Sequence, residues 1–297
     1  MASALLGTAD LCLGSRDTPG AAAHVTELQA ELRRLQVLQP DEPVSSGEFD
    51  DNTEMAVRRF QWFAGQVPGA LSAQGGFVAR PLARLAADGI VGKRTRRLLQ
   101  TFSDQRWAAT GLLVKLNFER LVHTQPNAGF TALLDGNPMI GLCERDFAAV
   151  LAKLDAVAQR LGVFVFVNQL FRVEGSLVSG AVVPPASFSS HKIGRAVDLQ
   201  LGTDAAPAAG RNPQLSMQIK NAVAGSPFAR FRQHAKSVLR CRYGGDFDPV
   251  DAPHFDRQVL PSGGQAWKMH YYFDQLQYRQ AFANADAIPD AVIATGP

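Results

Sequence analysis

The stretch SFSSHKIGRAVDLQL, residues 187–201, places His191 and Asp198 seven residues apart with Gly194 between them. A neutral imidazole and a carboxylate are both suitable zinc ligands, but two ligands do not complete a site. Histidines occur at positions 24, 123, 191, 234, 254 and 270. His24 opens a helical pattern, His123 sits in an unpatterned segment and His234 lies within a helical run. His254 differs, because it stands in DAPHFD after a Gly-rich turn, where Pro253 limits strand pairing. A two-residue period puts His254 and Asp256 on one strand face and Phe255 on the other. Asp251, three residues before His254, is close enough to reach a water on the same metal. A His, Asp, His set leaves zinc an open fourth position, where the pKa of bound water falls to about 7 and a carbonyl oxygen is polarised. A nearby carboxylate that is not a ligand then takes the water's proton and passes it to a leaving amine. No nucleophilic Ser or Cys is required.

The elements that must position these groups follow from hydrophobic periodicity. From residue 195 to 201, Val197, Leu199 and Leu201 fall on one strand face and Ala196, Asp198 and Gln200 on the other, so Asp198 points away from the apolar side. Gly194 lets the chain bend between His191 and Asp198. Upstream, RDFAAVLAKLDAVAQRL (145–161) reads as an amphipathic helix closed by Gly162, and VFVFVN as a buried strand. QLSMQIKNAVAG and PFARFRQHAKSVLR read as two further helices, and RYGGDFDPVDAPHFD as a Gly-rich turn leading into a short strand. Nearer the start, Val25, Leu28, Leu32 and Leu35 share a helix face. A second helix follows with Thr53 as N-cap and Val57 and Phe60 inward, and an Asp-Gly turn leads to a third carrying Leu98 and Leu99. The expected organisation is a three-helix unit over 20–102, a linker over 103–139 and a second domain over 140–285. Helices and strands mix without a βαβ rhythm, so the expected class is α+β, with a small antiparallel sheet flanked by helices.

SSHKIGRAVD followed by RYGGDFDPVDAPHFD resembles the zinc peptidase family of D-alanyl-D-alanine carboxypeptidases and L-alanyl-D-glutamate endopeptidases, which cut peptidoglycan stem peptides. The family pattern S-x-H-x-x-G-x-A-x-D, then acid-x-x-H, falls on Ser189, His191, Gly194, Ala196 and Asp198, then Asp251 and His254. The resemblance spans roughly residues 140–280 and implies His191, Asp198 and His254 as Zn2+ ligands and Asp251 as general acid/base. It also implies an Arg before the first motif that binds a substrate carboxylate or the developing oxyanion. Arg172 in VNQLFRVEG takes that place, the alternative being an ordinary surface Arg. Arg195 reads as structural, since its strand parity opposes Asp198. Ser189 and Tyr243 are candidate substrate contacts, with a loop hydrogen bond the alternative for Ser189 and a core position the alternative for Tyr243 and Trp267. YGGDF resembles the turn of phage-type members that cleave L-Ala–D-Glu. VTELQAELRRLQ, GEFDDNTEMAVRRFQ and DGIVGKRT resemble the three-helix peptidoglycan-binding domain often fused to wall hydrolases, with the spacing between Phe63 and Asp88 expanded.

Composition narrows the choices. With 46% hydrophobic and 19% charged residues among 297, the chain is long enough and apolar enough for a substantial core. A net charge of +3 is too small to argue for nucleic-acid binding, and no reading element is present. Cys12, Cys143 and Cys241 form no disulfide framework. No apolar run approaches the roughly 18 residues of a membrane span. MASALLGTADLCLGSRD lacks a basic segment and a sustained apolar core, so it is not read as a secretory signal. The expectation is a monomer made in the cytoplasm that acts on the wall or in the periplasm, after release by a holin or export by a secretion system. Its expected partner is peptidoglycan and its expected activity is L-alanyl-D-glutamate endopeptidase. A D,D- or L,D-carboxypeptidase is the close alternative, and a non-catalytic wall-binding protein the alternative of another class.

Overall fold

A computed structural model describes residues 6–66, 70–71, 77–78, 85–109, 111–176, 186–205, 213–281 and 287–291. The chain divides into two compact units, Met1–Thr110 and Gly111–Pro297. Helix and sheet are mixed, as α+β requires. Among the described residues, no helix is long and apolar enough to cross a membrane.

The first unit holds α1 (His24–Arg34), α2 (Asp51–Gln66) and α3 (Lys93–Asp104), with a two-strand ribbon of β1 (Ala70–Leu71) and β2 (Phe77–Val78). Val25, Leu28 and Leu32 of α1, Val57, Phe60 and Phe63 of α2, and Leu99 and Phe102 of α3 are buried. Phe102 meets Phe60, Phe63 and Trp107 edge to face, contacts of about 0.5–1.5 kcal/mol each beyond the area they bury. Thr53 is not the cap of α2. Asp50 is, its Oδ1 accepting from the Thr53 N–H and hydroxyl at 2.8 and 2.7 Å, while Thr53 is fully buried inside the helix. Most of the expanded stretch between Phe63 and Asp88 lies outside the described residues.

In the second unit β3 (Leu113–Asn117) pairs antiparallel with β5 (Ile140–Glu144). A five-stranded sheet runs in the order β4 (Thr124–Pro126), β6 (Phe164–Gln169), β7 (Ala196–Gly202), β9 (His254–Asp256), β8 (Arg242–Tyr243). It is mixed rather than antiparallel, because β4 runs parallel to β6. The expected linker over 103–139 is also corrected, since it contains the end of α3 and both β3 and β4. β4 is three residues long and ends in Pro, so it left no alternation to read.

Helix α4 (Arg145–Leu161) ends where Gly162 turns left-handed at φ 65°. α5 (Pro213–Lys220), α6 (Pro227–Ser237) and α7 (Gln265–Ala281) complete the unit. Val165 and Val167 of β6, Val197, Leu199 and Leu201 of β7, and Phe255 of β9 join Phe147, Leu151 and Leu154 of α4 and Phe231 of α6 in one core. The parity read for β7 is correct, but its second face is not open. Ala196 and Gln200 are buried there as well, leaving Asp198 and the terminal Gly202 partly exposed. Residues 177–185, between β6 and β7, lie outside the described residues.

Candidate metal centre

Two strands and a turn converge on one point. Ser189 caps the 3₁₀ turn Ser190–Ile193, its hydroxyl accepting from the His191 N–H at 3.3 Å. Gly194 ends that turn at φ 62°, a left-handed conformation that favours glycine, and a Cβ there would stand 2.7 Å from the Glu144 nitrogen. The chain then enters β7, where Asp198 lies directly across from His254 on β9. A one-residue offset in that pairing would set Phe255 opposite Asp198 instead.

His191 Nε2 lies 3.1 Å from Asp198 Oδ1 and 3.1 Å from His254 Nδ1, and His254 Nδ1 lies 3.2 Å from Asp198 Oδ1. The other nitrogen of each ring is engaged. His191 Nδ1 donates to the Leu170 carbonyl at 2.7 Å, and His254 Nε2 faces Asp256 Oδ2 at 3.3 Å. A carbonyl only accepts, so the neutral His191 ring carries its hydrogen on Nδ1 and presents a lone pair at Nε2. Asp256 fixes His254 in the same sense, and Arg242 holds Asp256 with two hydrogen bonds of 2.8 and 2.5 Å. Three lone-pair donors thus face one another across 3.1–3.2 Å. Donors on a tetrahedral cation with bonds near 2.0–2.1 Å stand about 3.3 Å apart, so the set fits a metal ion.

Burial opposes charge on His254, but hydrogen bonds to Asp198 and Asp256 outweigh it and push its pKa up to about 10. Burial likewise opposes ionisation of Asp198, yet His191 and His254 hold its carboxyl well below the usual range. Asp251 stands outside the triangle, 3.9 Å from His254 Nδ1, with 37% of its side chain open to solvent. Burial and then the charge of Asp198 push its pKa upward. Gly244 places it, its carbonyl accepting from the Asp251 N–H at 2.8 Å, and a Cβ on Gly244 would collide with the Asp251 carbonyl at 2.1 Å.

Arg172 is not a surface residue. It is 7% exposed, its backbone N–H donates to the His191 carbonyl at 2.9 Å, and its Nη2 is buried with no hydrogen-bond partner among the described residues. Asp198, Glu174 and Asp251 lie near enough to counter the effect of burial on its charge. Tyr243 is corrected as a substrate contact. Its ring is 1% exposed and packs 4.7 Å from Phe255 in the core, which draws an aromatic residue beside a strand inward. Ser189 acts on the turn, and Trp267 is buried between Phe188 and Tyr271. Arg195 is structural, donating to Glu144 at 2.7 Å and to the Arg257 carbonyl at 3.0 Å. Asp256 and the Leu170 carbonyl escaped the sequence reading. The shared face of His254 and Asp256 was the available signal for one, and a backbone group leaves none.

A second group, Glu144, His270 and Asp274, also brings possible ligand atoms within 4.8 Å of one another. There Arg195 already supplies positive charge to Glu144, and His270 Nδ1 bonds the other Glu144 oxygen. Burial and then Glu144 push the Asp274 carboxyl well above the usual range, so it keeps its proton beside the Glu144 carboxylate.

Residues 22–68 match the family model described as "Putative peptidoglycan binding domain". The match covers α1 and α2 and supports a peptidoglycan-binding domain in the first unit, with peptidoglycan as partner and association with the cell wall. No curated protein matches the chain.

Proposed function

We propose that the chain is a zinc-dependent peptidoglycan peptidase that hydrolyses the L-alanyl–D-glutamate bond of stem peptides at the wall, in the manner of an endolysin. The observation that carries this reading is the triangle of His191, Asp198 and His254, whose lone pairs meet at one point beside an acid that is not part of it. The wall-binding match in the same chain gives the reading its substrate. Zn2+ held by these three residues would lower the pKa of a water to about 7 and polarise the scissile carbonyl.

The remaining work falls to the chain's own groups. Asp251 has a raised pKa and an exposed edge, so it can accept a proton from water and return it to the departing amine. Arg172 is buried near the Asp198 and Asp251 carboxylates with one guanidinium nitrogen unpartnered among the described residues, which suits a substrate carboxylate or a developing oxyanion. Leu170 and Asp256 fix the two imidazole rings so that neither rotates out of the triangle. The same Arg172 nitrogen favours a second reading, carboxypeptidase, in which it anchors the terminal carboxylate.

Purified peptidoglycan incubated with the protein, with and without a chelator, separates these readings by mass spectrometry. New D-Glu amino termini that disappear with chelator support the endopeptidase, and released D-Ala supports the carboxypeptidase. If wild type and His254→Ala both give no product, the enzyme reading fails and a non-catalytic wall binder remains.

A further inference from the structure

Helix α7 carries two buried glutamines two residues apart, Gln275 and Gln277, at 2% and 0% exposure. Each satisfies three backbone partners. Gln277 Oε1 accepts from Leu113 N at 2.9 Å, and its Nε2 donates to the Leu113 and Ala287 carbonyls at 3.2 and 2.8 Å. That set ties α7 to β3. Gln275 makes the same kind of set elsewhere. Its Oε1 accepts from Glu174 N at 3.0 Å, and its Nε2 donates to the Arg172 carbonyl at 3.1 Å and the Lys192 carbonyl at 2.9 Å. Lys192 follows His191, and Arg172 is already bonded through its N–H to the His191 carbonyl. One side chain therefore joins the segment carrying the buried arginine to the turn carrying a metal-site histidine.

We propose that Gln275 is a positioning residue for the site: it sets the separation between Arg172 and His191 by bridging the carbonyls of Arg172 and Lys192. For its catalytic readout the inference rests on the peptidase reading. The side-chain hydrogen bonds of Gln275 to two loop carbonyls add to the single backbone bond from Arg172 N–H to the His191 carbonyl, and positioning errors near 1 Å cost rate far more than stability. Gln277 supplies the matched control, because its loss removes equal bonding from the same helix without touching the site.

The test compares Gln275→Met with Gln277→Met, which keep side-chain length and lose the hydrogen bonds. Thermal midpoints should fall alike. Gln275→Met should lower kcat on soluble stem peptide by about 10–100-fold, while Gln277→Met stays within about threefold of wild type. In an Arg172→Lys background the effect of Gln275→Met should largely vanish, since the two act through one geometry. Equal activity losses in the two glutamine variants, or full additivity with Arg172→Lys, would overturn the proposal. Zn2+ affinity, measured by competition with a chromophoric chelator, is independent of turnover and should weaken about tenfold in Gln275→Met alone. If wild type shows no hydrolysis, the peptidase reading fails and this comparison still decides the role of Gln275. Equal affinities in the two variants would then overturn it.

Discussion

At the scale of single residues, the proposed centre separates groups that would bind a metal from a group that would move a proton. Asp251 sits 3.9 Å from His254 Nδ1 and outside the donor triangle, so Asp251→Ala should keep one metal per chain while turnover falls by about 10²–10⁴-fold. Metal analysis beside peptide hydrolysis checks this, and loss of the metal in that variant would make Asp251 a ligand. The pH profile gives a second check. Asp251 must be ionised to accept a proton, and its pKa is raised, so activity is lost as pH falls through a value above the ordinary 3.8. The spacing of His191, Asp198, Asp251 and His254 was legible in the sequence because each is a side chain in a compact motif. The partners that aim them were not. Leu170 contributes a carbonyl from 21 residues away and Gln275 an amide from a helix 84 positions after His191 (275 − 191), and chain separation hides both.

At the scale of elements, the turn between His191 and β7 and the inner face of α7 carry the constraints. Gly194→Ala forces a left-handed φ on a residue with a Cβ and drives that atom into the Glu144 nitrogen. A destabilisation of at least about 1 kcal/mol is expected from the backbone alone, together with weaker metal binding, since the turn also carries His191. Urea unfolding and chelator competition would read both, and an unchanged affinity would separate the turn from the site. On α7, Asp274 has a folded-state pKa above its unfolded value, so it binds more protons folded than unfolded. Its contribution is therefore complete at acid pH and is lost as pH rises from about 4 through the raised value. Asp274→Asn keeps a neutral group beside Glu144 and removes that loss, so its stability should gain on wild type between pH 5 and pH 8. A constant difference across that range, in the urea midpoint of the second unit, would refute the retained proton on Asp274. The sequence displayed α4 through helical periodicity and β6 through an uninterrupted β-branched and aromatic run, whereas β3, with Lys115 and Asn117 in five residues, and β4, three residues ending in Pro, stayed hidden in the expected linker.

At the scale of the molecule, the chain forms two compact units, between which the proposed wall enzyme would divide its labour. Under the proposed reading, binding by the first unit would raise the concentration of the second at an insoluble substrate without changing its chemistry. Residues 111–297 alone should therefore match the full chain on soluble stem peptide and fall behind it on intact wall by 10-fold or more, on the order of an effective-concentration effect. Residues 1–110 alone should sediment with purified peptidoglycan. Equal rates on both substrates would remove the targeting role. The halves were legible in different ways: α1 and α2 through helix periodicity and a family match, the site through motif spacing.

The pairing of β7 with β9 links these scales. Because Asp198 stands across from His254 while Val197 stands across from Phe255, one alignment of two strands fills the core and assembles the donors together. A chain that slipped by one residue would present an aromatic ring to Asp198 and an imidazole to the packed interior. The register that buries Phe255 is thus the same register that brings Asp198 and His254 together, so a slipped pairing would lose the core and the donor set at once.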